Sequence, residues 1–90
     1  MEFHNMTPEE QLFVVTMEEC AELTQACSKI LRFGKDPESL ARLQQELGDV
    51  MCMISLCMKK GLIDPAQLEA NAEFKLKKLS MWSNILEDSS

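Results

Sequence analysis

The feature that most restricts this chain is the scarcity and placement of its backbone punctuation. Three prolines and three glycines serve 90 residues, and each proline follows a helix-capping residue: Thr7-Pro8, Asp36-Pro37 and Asp64-Pro65. Proline suits the first turn of a helix, where its missing N–H has no partner to lose, and an oxygen-bearing side chain before it can accept from the free N–H groups of that turn. Glu10 stands three residues after Thr7, the spacing of a capping box. Gly34 follows Arg32-Phe33 and Gly61 follows Lys59-Lys60, so glycine stops close the patterns, with basic residues at the negative end of each helix dipole. The expectation is an all-α fold with three main helices, over about 8–33, 37–60 and 65–83. Short loops make the first two an antiparallel hairpin, with the third packed across it. No repeat or low-complexity segment interrupts this pattern, so one domain over 1–90 is expected, with 1–6 and 85–90 as loose ends and Glu87-Asp88-Ser89-Ser90 a frayed polar tail.

The first helix is too apolar for a surface element. Leu12, Phe13, Met17, Leu23, Ile30 and Leu31, with Cys20 and Cys27, cover well over a third of its circumference, and the second helix is similar from Val50 to Met58. Such arcs need neighbours on several sides, and a chain of 90 residues sits at the size where one core is marginally stabilising. A homo-oligomer, dimer or tetramer, is therefore expected, completing a bundle of four or more helices.

Charge and hydropathy exclude several classes. A net charge of −6 opposes a sequence-independent grip on a nucleic acid polymer, which needs a basic surface; a nucleotide stays open, because a divalent cation between carboxylates and phosphates reverses the local sign. The longest apolar run, Val50 to Met58, contains Ser55 and falls well short of the ~20 residues of a membrane span. The N-terminus has no basic stretch followed by an apolar one, so no secretory signal is read and the cytoplasm is the expected location. Cysteines 20, 27, 52 and 57 lack C-x-x-C spacing and fall in apolar helical patterns, which reads as buried free thiols in a reducing compartment rather than zinc ligands or disulfides.

Acidic residues are concentrated at two places, Glu18-Glu19-Cys20-Ala21-Glu22 and Glu46-Leu47-Gly48-Asp49. Residues three or four apart share a helical face, so each helix presents an acidic pair. A solvated charged face is the plain alternative for either pair alone. The neighbours argue otherwise: Glu22 shares its face with Val15, Ala26 and Phe33, and Asp49 with Met53 and Leu56. Acids bordering a core need cations, since an unpartnered buried carboxylate costs several kcal/mol or gives up its charge. Lys29, on the Glu22 face, is too little for four or five acids, whereas one divalent ion with oxygen ligands suffices. Carboxylates without His or Cys select hard metals, Mg²⁺ with Mn²⁺ as its substitute. Gly48, in a helix interior, implies that a facing helix approaches closely. Di-iron chemistry of the bundle type needs E-x-x-H motifs, and the only histidine, His4, precedes the first helix and reads as a surface residue. A calcium loop with D-x-D-x-D-G spacing is also missing.

E-E-x-x-E in one helix followed by E-L-G-D in the next resembles the pattern of the MazG-like nucleoside triphosphate pyrophosphohydrolases, an all-α superfamily that also holds the dimeric dUTPases. The resemblance covers most of the chain and extends to the lysine-rich third helix ending in Lys78-Leu79-Ser80-Met81-Trp82-Ser83, as in short single-domain members of bacteria and their phages. It implies that Glu19, Glu22, Glu46 and Asp49 are Mg²⁺ ligands, with Glu18 beside them as an orienting group or as the base for water. It implies cleavage between the α and β phosphates of a nucleoside or deoxynucleoside triphosphate, giving the monophosphate and pyrophosphate. Lys75 and Lys78, with Asn71 one turn earlier, look like the residues that members bring to the phosphates; Lys77 is off that face, and Trp82 reads as sealing the core rather than stacking on a base. The competing expectation is a non-catalytic helical interaction module whose acids are surface charge or intersubunit salt bridges. Neither the base and sugar accepted nor the choice between dimer and tetramer is written in these motifs.

Overall fold

The computed structural model describes residues 5–87 and is all-helical, with α1 (Pro8–Phe33), α2 (Pro37–Lys59) and α3 (Pro65–Trp82) and no strand among the described residues. His4 and residues 88–90 of the expected tail lie outside them. The helix starts follow the expected chemistry. Thr7 Oγ1 accepts from the Glu10 N–H at 3.1 Å while Glu10 Oε1 accepts from the Thr7 N–H at 2.9 Å, a complete capping box. Asp36 and Asp64 cap α2 and α3, accepting from Ser39 N–H at 2.7 Å and Ala66 N–H at 3.2 Å. At the end of α1, Gly34 takes φ 106°, a conformation L side chains resist, and its N–H still reaches the Ile30 carbonyl at 2.9 Å.

Two compact units divide the chain, Met1–Lys60 and Gly61–Ser90. In the first, α1 and α2 pack on each other. The α1 seam runs through Leu12, Thr16, Glu19, Leu23 and Ala26, and that of α2 through Leu43, Glu46, Val50, Met53 and Cys57, each advancing by three or four residues as a helical face must. Among the described residues Leu12, Ala26 and Met53 are the buried apolar ones, and the fourth buried side chain is an acid, Glu46. This is a thin core.

The other side of each helix is open. Phe13, Met17 and Leu31 on α1 and Leu47 and Met51 on α2 are exposed, Leu31 at 88%. Cys20, Cys27 and Cys52 are exposed as well and Cys57 is half-buried, so in this chain they are not the buried thiols expected. The cause is geometric: a hairpin covers one side of each helix, and Cys20 and Cys27 fall on the outer line of α1 with Phe13, Met17 and Leu31.

In the second unit, α3 has no buried residue. Its side chains interact locally: Gln67 Nε2 donates to Asn71 Oδ1 at 2.9 Å, Lys75 Nζ lies 5.3 Å from the centre of the Trp82 ring, and Lys78 Nζ lies 5.0 Å from that of Phe74. Trp82 is 65% exposed and carries Lys75 on its face, which corrects the expectation that it seals a core.

Candidate metal centre

The antiparallel hairpin brings the acids of α1 and α2 to one level of the seam. One carboxylate oxygen from each of Glu19, Glu22, Glu46 and Asp49 can be chosen so that all lie within 4.8 Å of one another. Oxygens bound to Mg²⁺ at about 2.1 Å sit about 3 Å apart when adjacent and about 4.2 Å apart when opposite, so rotation of these side chains is enough to close them on a single ion.

Burial is uneven among the four, and not in the way the apolar neighbours of Glu22 and Asp49 suggest. Glu46 is 1% exposed, Glu19 and Asp49 are half-buried, and Glu22 is exposed. Glu19 and Glu46 are the ones on the seam itself. Glu19 Oε2 and Glu46 Oε2 are both shut off from solvent with no hydrogen-bond partner. Nearly all buried polar atoms find a partner, so two orphans on facing helices at one level are an exception that a proton or a cation would relieve.

The electrostatics agree. Burial pushes the Glu19 carboxyl above the ordinary value of 4.5, and the charges of Glu22 and Asp49, a hydrogen bond that only the protonated acid could give Asp49, and the charge of Glu46 push the same way. Glu46 is raised first by burial, then by a hydrogen bond that only its protonated form could give Glu22 and by the charges of Glu22 and Asp49; only Arg42 acts against the rise. Arg42 Nε stands 3.3 Å from Glu46 Oε1, one helical turn earlier on α2.

Arg42 is the participant that the sequence reading passed over. Its i,i+4 spacing to Glu46 is legible in the sequence; Lys29, the cation expected there, lines a cavity of about 210 Å³ with Ala26, Asp36, Glu38, Ser39 and Arg42. Glu18 is exposed and is not one of the four converging acids. Gly48 differs from expectation: a Cβ built on it would meet nothing within 4 Å, so α1 is not the element whose close approach explains the glycine. Asn71, Lys75 and Lys78 belong to the second unit, all exposed and engaged as described above.

Four carboxylates with no imidazole or thiolate among them are a donor set for a hard, oxygen-seeking divalent cation, and the orphaned oxygens fit that group. Arg42 supplies one positive charge to one acid of the four, which leaves the cluster far from neutral. No family model matches this chain, and neither curated proteins nor solved structures contain a significant match.

Proposed function

We propose that this protein is a Mg²⁺-dependent nucleoside triphosphate pyrophosphohydrolase of the MazG-like kind. The observation that carries the reading is the pair of buried, unpartnered oxygens, Glu19 Oε2 and Glu46 Oε2, within a cluster of four carboxylates. In this reading Glu19, Glu22, Glu46 and Asp49 hold Mg²⁺, or Mn²⁺ in its place. Bound there, the ion supplies Lewis acidity and a template, offsetting charge on the phosphates and orienting water.

The chain's own residues divide the remaining work. Glu46 and Glu19, on the helix seam, give the site its inner wall, while Glu22 is exposed and faces the ligand side. Glu18, next to Glu19 in sequence and exposed, is either the orienting group or the base for water that the resemblance implies. In the reaction a water oxygen bonds to phosphorus, the P–O bond linking the α and β phosphates breaks, and the water proton leaves to the base; the products are a nucleoside monophosphate and pyrophosphate.

The exposed lines of the hairpin support the second half of the reading, a homo-oligomer. Phe13, Met17, Cys20, Thr24, Cys27 and Leu31 follow one another at intervals of four and three, the period of a helix seam, and all are exposed. A second copy of the hairpin would cover this line and turn a thin two-helix core into a four-helix one. The same line also suits a non-catalytic interaction module, the second reading.

Purified protein with Mg²⁺ should release pyrophosphate from at least one common nucleoside or deoxynucleoside triphosphate, and EDTA should abolish the release. Glu46→Gln and Asp49→Asn should each remove it with an unchanged helical CD spectrum. Orthophosphate as the only product, or activity surviving both substitutions, would refute this reaction at this site, whereas no release from any nucleotide would favour the interaction module. Light scattering coupled to gel filtration should give a mass at least twice 10.2 kDa; a monomer at high micromolar concentration would refute the oligomer.

A further inference from the structure

One cavity shares a residue, Arg42, with the surroundings of the acidic cluster. It occupies about 210 Å³ at the closed end of the hairpin, lined by Lys29 of α1, by Asp36, Glu38 and Ser39 at the start of α2, and by Arg42, with Ala26 on its apolar side. Arg42 belongs to both places, since its Nε is the nitrogen 3.3 Å from Glu46 Oε1. The four terminal N–H donors of a guanidinium lie beyond Nε, in a fork that fits phosphate oxygens. The Arg42 side chain is 59% exposed, so it can turn without unpacking the seam.

We propose that this cavity receives the diphosphate end of the substrate, held by Lys29 and Arg42, and that Arg42 is released to do so when a cation takes over Glu46. The proposal rests on the metal reading above. Two lining acids set its selectivity. Asp36 is committed to the α2 cap through its bond to Ser39 N–H, and Glu38 stands in the first turn, so the cavity carries two positive and two negative side chains. A free anion gains little there, whereas a diphosphate that also touches the metal gains from both. The first turn of α2 adds the positive end of a helix dipole to the same wall.

The consequence is a pair of opposed effects at one residue. Arg42 repels a cation entering the cluster and attracts the phosphates that follow it. Titration calorimetry on the full chain should therefore show Arg42→Gln binding Mg²⁺ several-fold more tightly than the wild type. In saturating Mg²⁺ the same variant should bind inorganic pyrophosphate about tenfold more weakly, the size of one lost charge-assisted hydrogen bond. Lys29→Gln should weaken pyrophosphate binding with Mg²⁺ affinity unchanged, and Arg42→Lys, which keeps the charge but not the fork, should fall between Arg42→Gln and the wild type. Nucleoside monophosphate binding should be unmoved by any of these changes, since it lacks the diphosphate. If Arg42→Gln weakens Mg²⁺ binding, Arg42 only orients Glu46 and the proposal fails. It fails equally if both glutamine variants bind pyrophosphate as the wild type does, and in either case the metal reading stands. Wild-type protein that binds no Mg²⁺ at millimolar concentration would instead overturn the metal reading and this proposal with it.

Discussion

Two levels of the same helix pair are built on opposite principles. Toward the N-terminus of α1, Leu12 and Met53 are buried and line an open apolar groove of about 320 Å³ with Val15 and Leu56. About two turns along, the seam positions hold Glu19 and Glu46. The first level stabilises the hairpin by removing apolar surface from water. The second works against it, because like charges converge where solvent screens them poorly. A chain this short gains nothing in stability from an acidic seam, and the proposed cation would give those acids a role.

Substitution at each level gives the largest contrast. Met53→Ala should destabilise the metal-free protein by about 2–5 kcal/mol, the range for truncating a buried methionine, enough to unfold much of so small a domain. Glu46→Gln, nearly the same shape without the charge, should instead raise the melting midpoint in EDTA. Adding Mg²⁺ should reverse the order. Wild type should gain about 2.7 kcal/mol when the ion is at a hundred times its dissociation constant, whereas Glu46→Gln gains far less. Calorimetric melts of the three proteins with EDTA and with Mg²⁺ test this; a Glu46→Gln variant less stable than wild type in EDTA would show that the acid serves the fold.

Acidification should produce a smaller effect of defined sign. Glu19 and Glu46 have raised values in the folded chain, while in the unfolded chain they return to about the ordinary 4.5. Between 4.5 and the raised values the folded state holds protons that the unfolded state has released. Their contribution is therefore fully present below 4.5 and is lost as the pH rises through the folded-state values. In EDTA the melting midpoint of the wild type should rise as the pH falls from neutral toward 5, and less so for Glu19→Gln/Glu46→Gln. With Mg²⁺ the trend should invert, because protons then compete with the ion. A metal-free midpoint with the same slope in wild type and double variant would contradict the linkage.

The boundaries of all three helices were legible because caps and stops are local chemistry: Thr7, Asp36 and Asp64 act on N–H groups two or three residues away, and Gly34 on its own backbone. The identity of the four converging acids was legible too, since i,i+3 spacing puts each pair on one face. Which of them are inside was not. Glu19 and Glu22 are only about 60° apart around a helix, so both border the apolar stripe, and the facing helix decides which one is on the seam. Periodicity on α1 carries no record of the register of α2. The cysteines differ from expectation for a related reason: a wide apolar arc tells that several sides are to be covered, but the hairpin covers one. Arg42 was visible at i,i+4 from Glu46, yet its relevance depends on Glu46 being the buried acid.

The smallest effect concerns the outer face of α2 rather than its seam. Gly48 is exposed, with helical backbone and open space where a Cβ would point. Glycine there costs about 1 kcal/mol of helix stability relative to alanine, and no contact within the hairpin offsets that cost. Its neighbours on the outer face, Leu47 and Met51, are apolar and exposed, so a second copy packed against them would bring backbone close to Gly48. Gly48→Ala should therefore act in opposite directions on the two interfaces of α2. At concentrations where the protein is monomeric it should raise the melting midpoint, by the helix propensity gained. At higher concentrations it should shift sedimentation toward the monomer, because the added methyl group keeps the copies apart. A variant that is more stable at every concentration and assembles as the wild type does would place the contact between copies elsewhere.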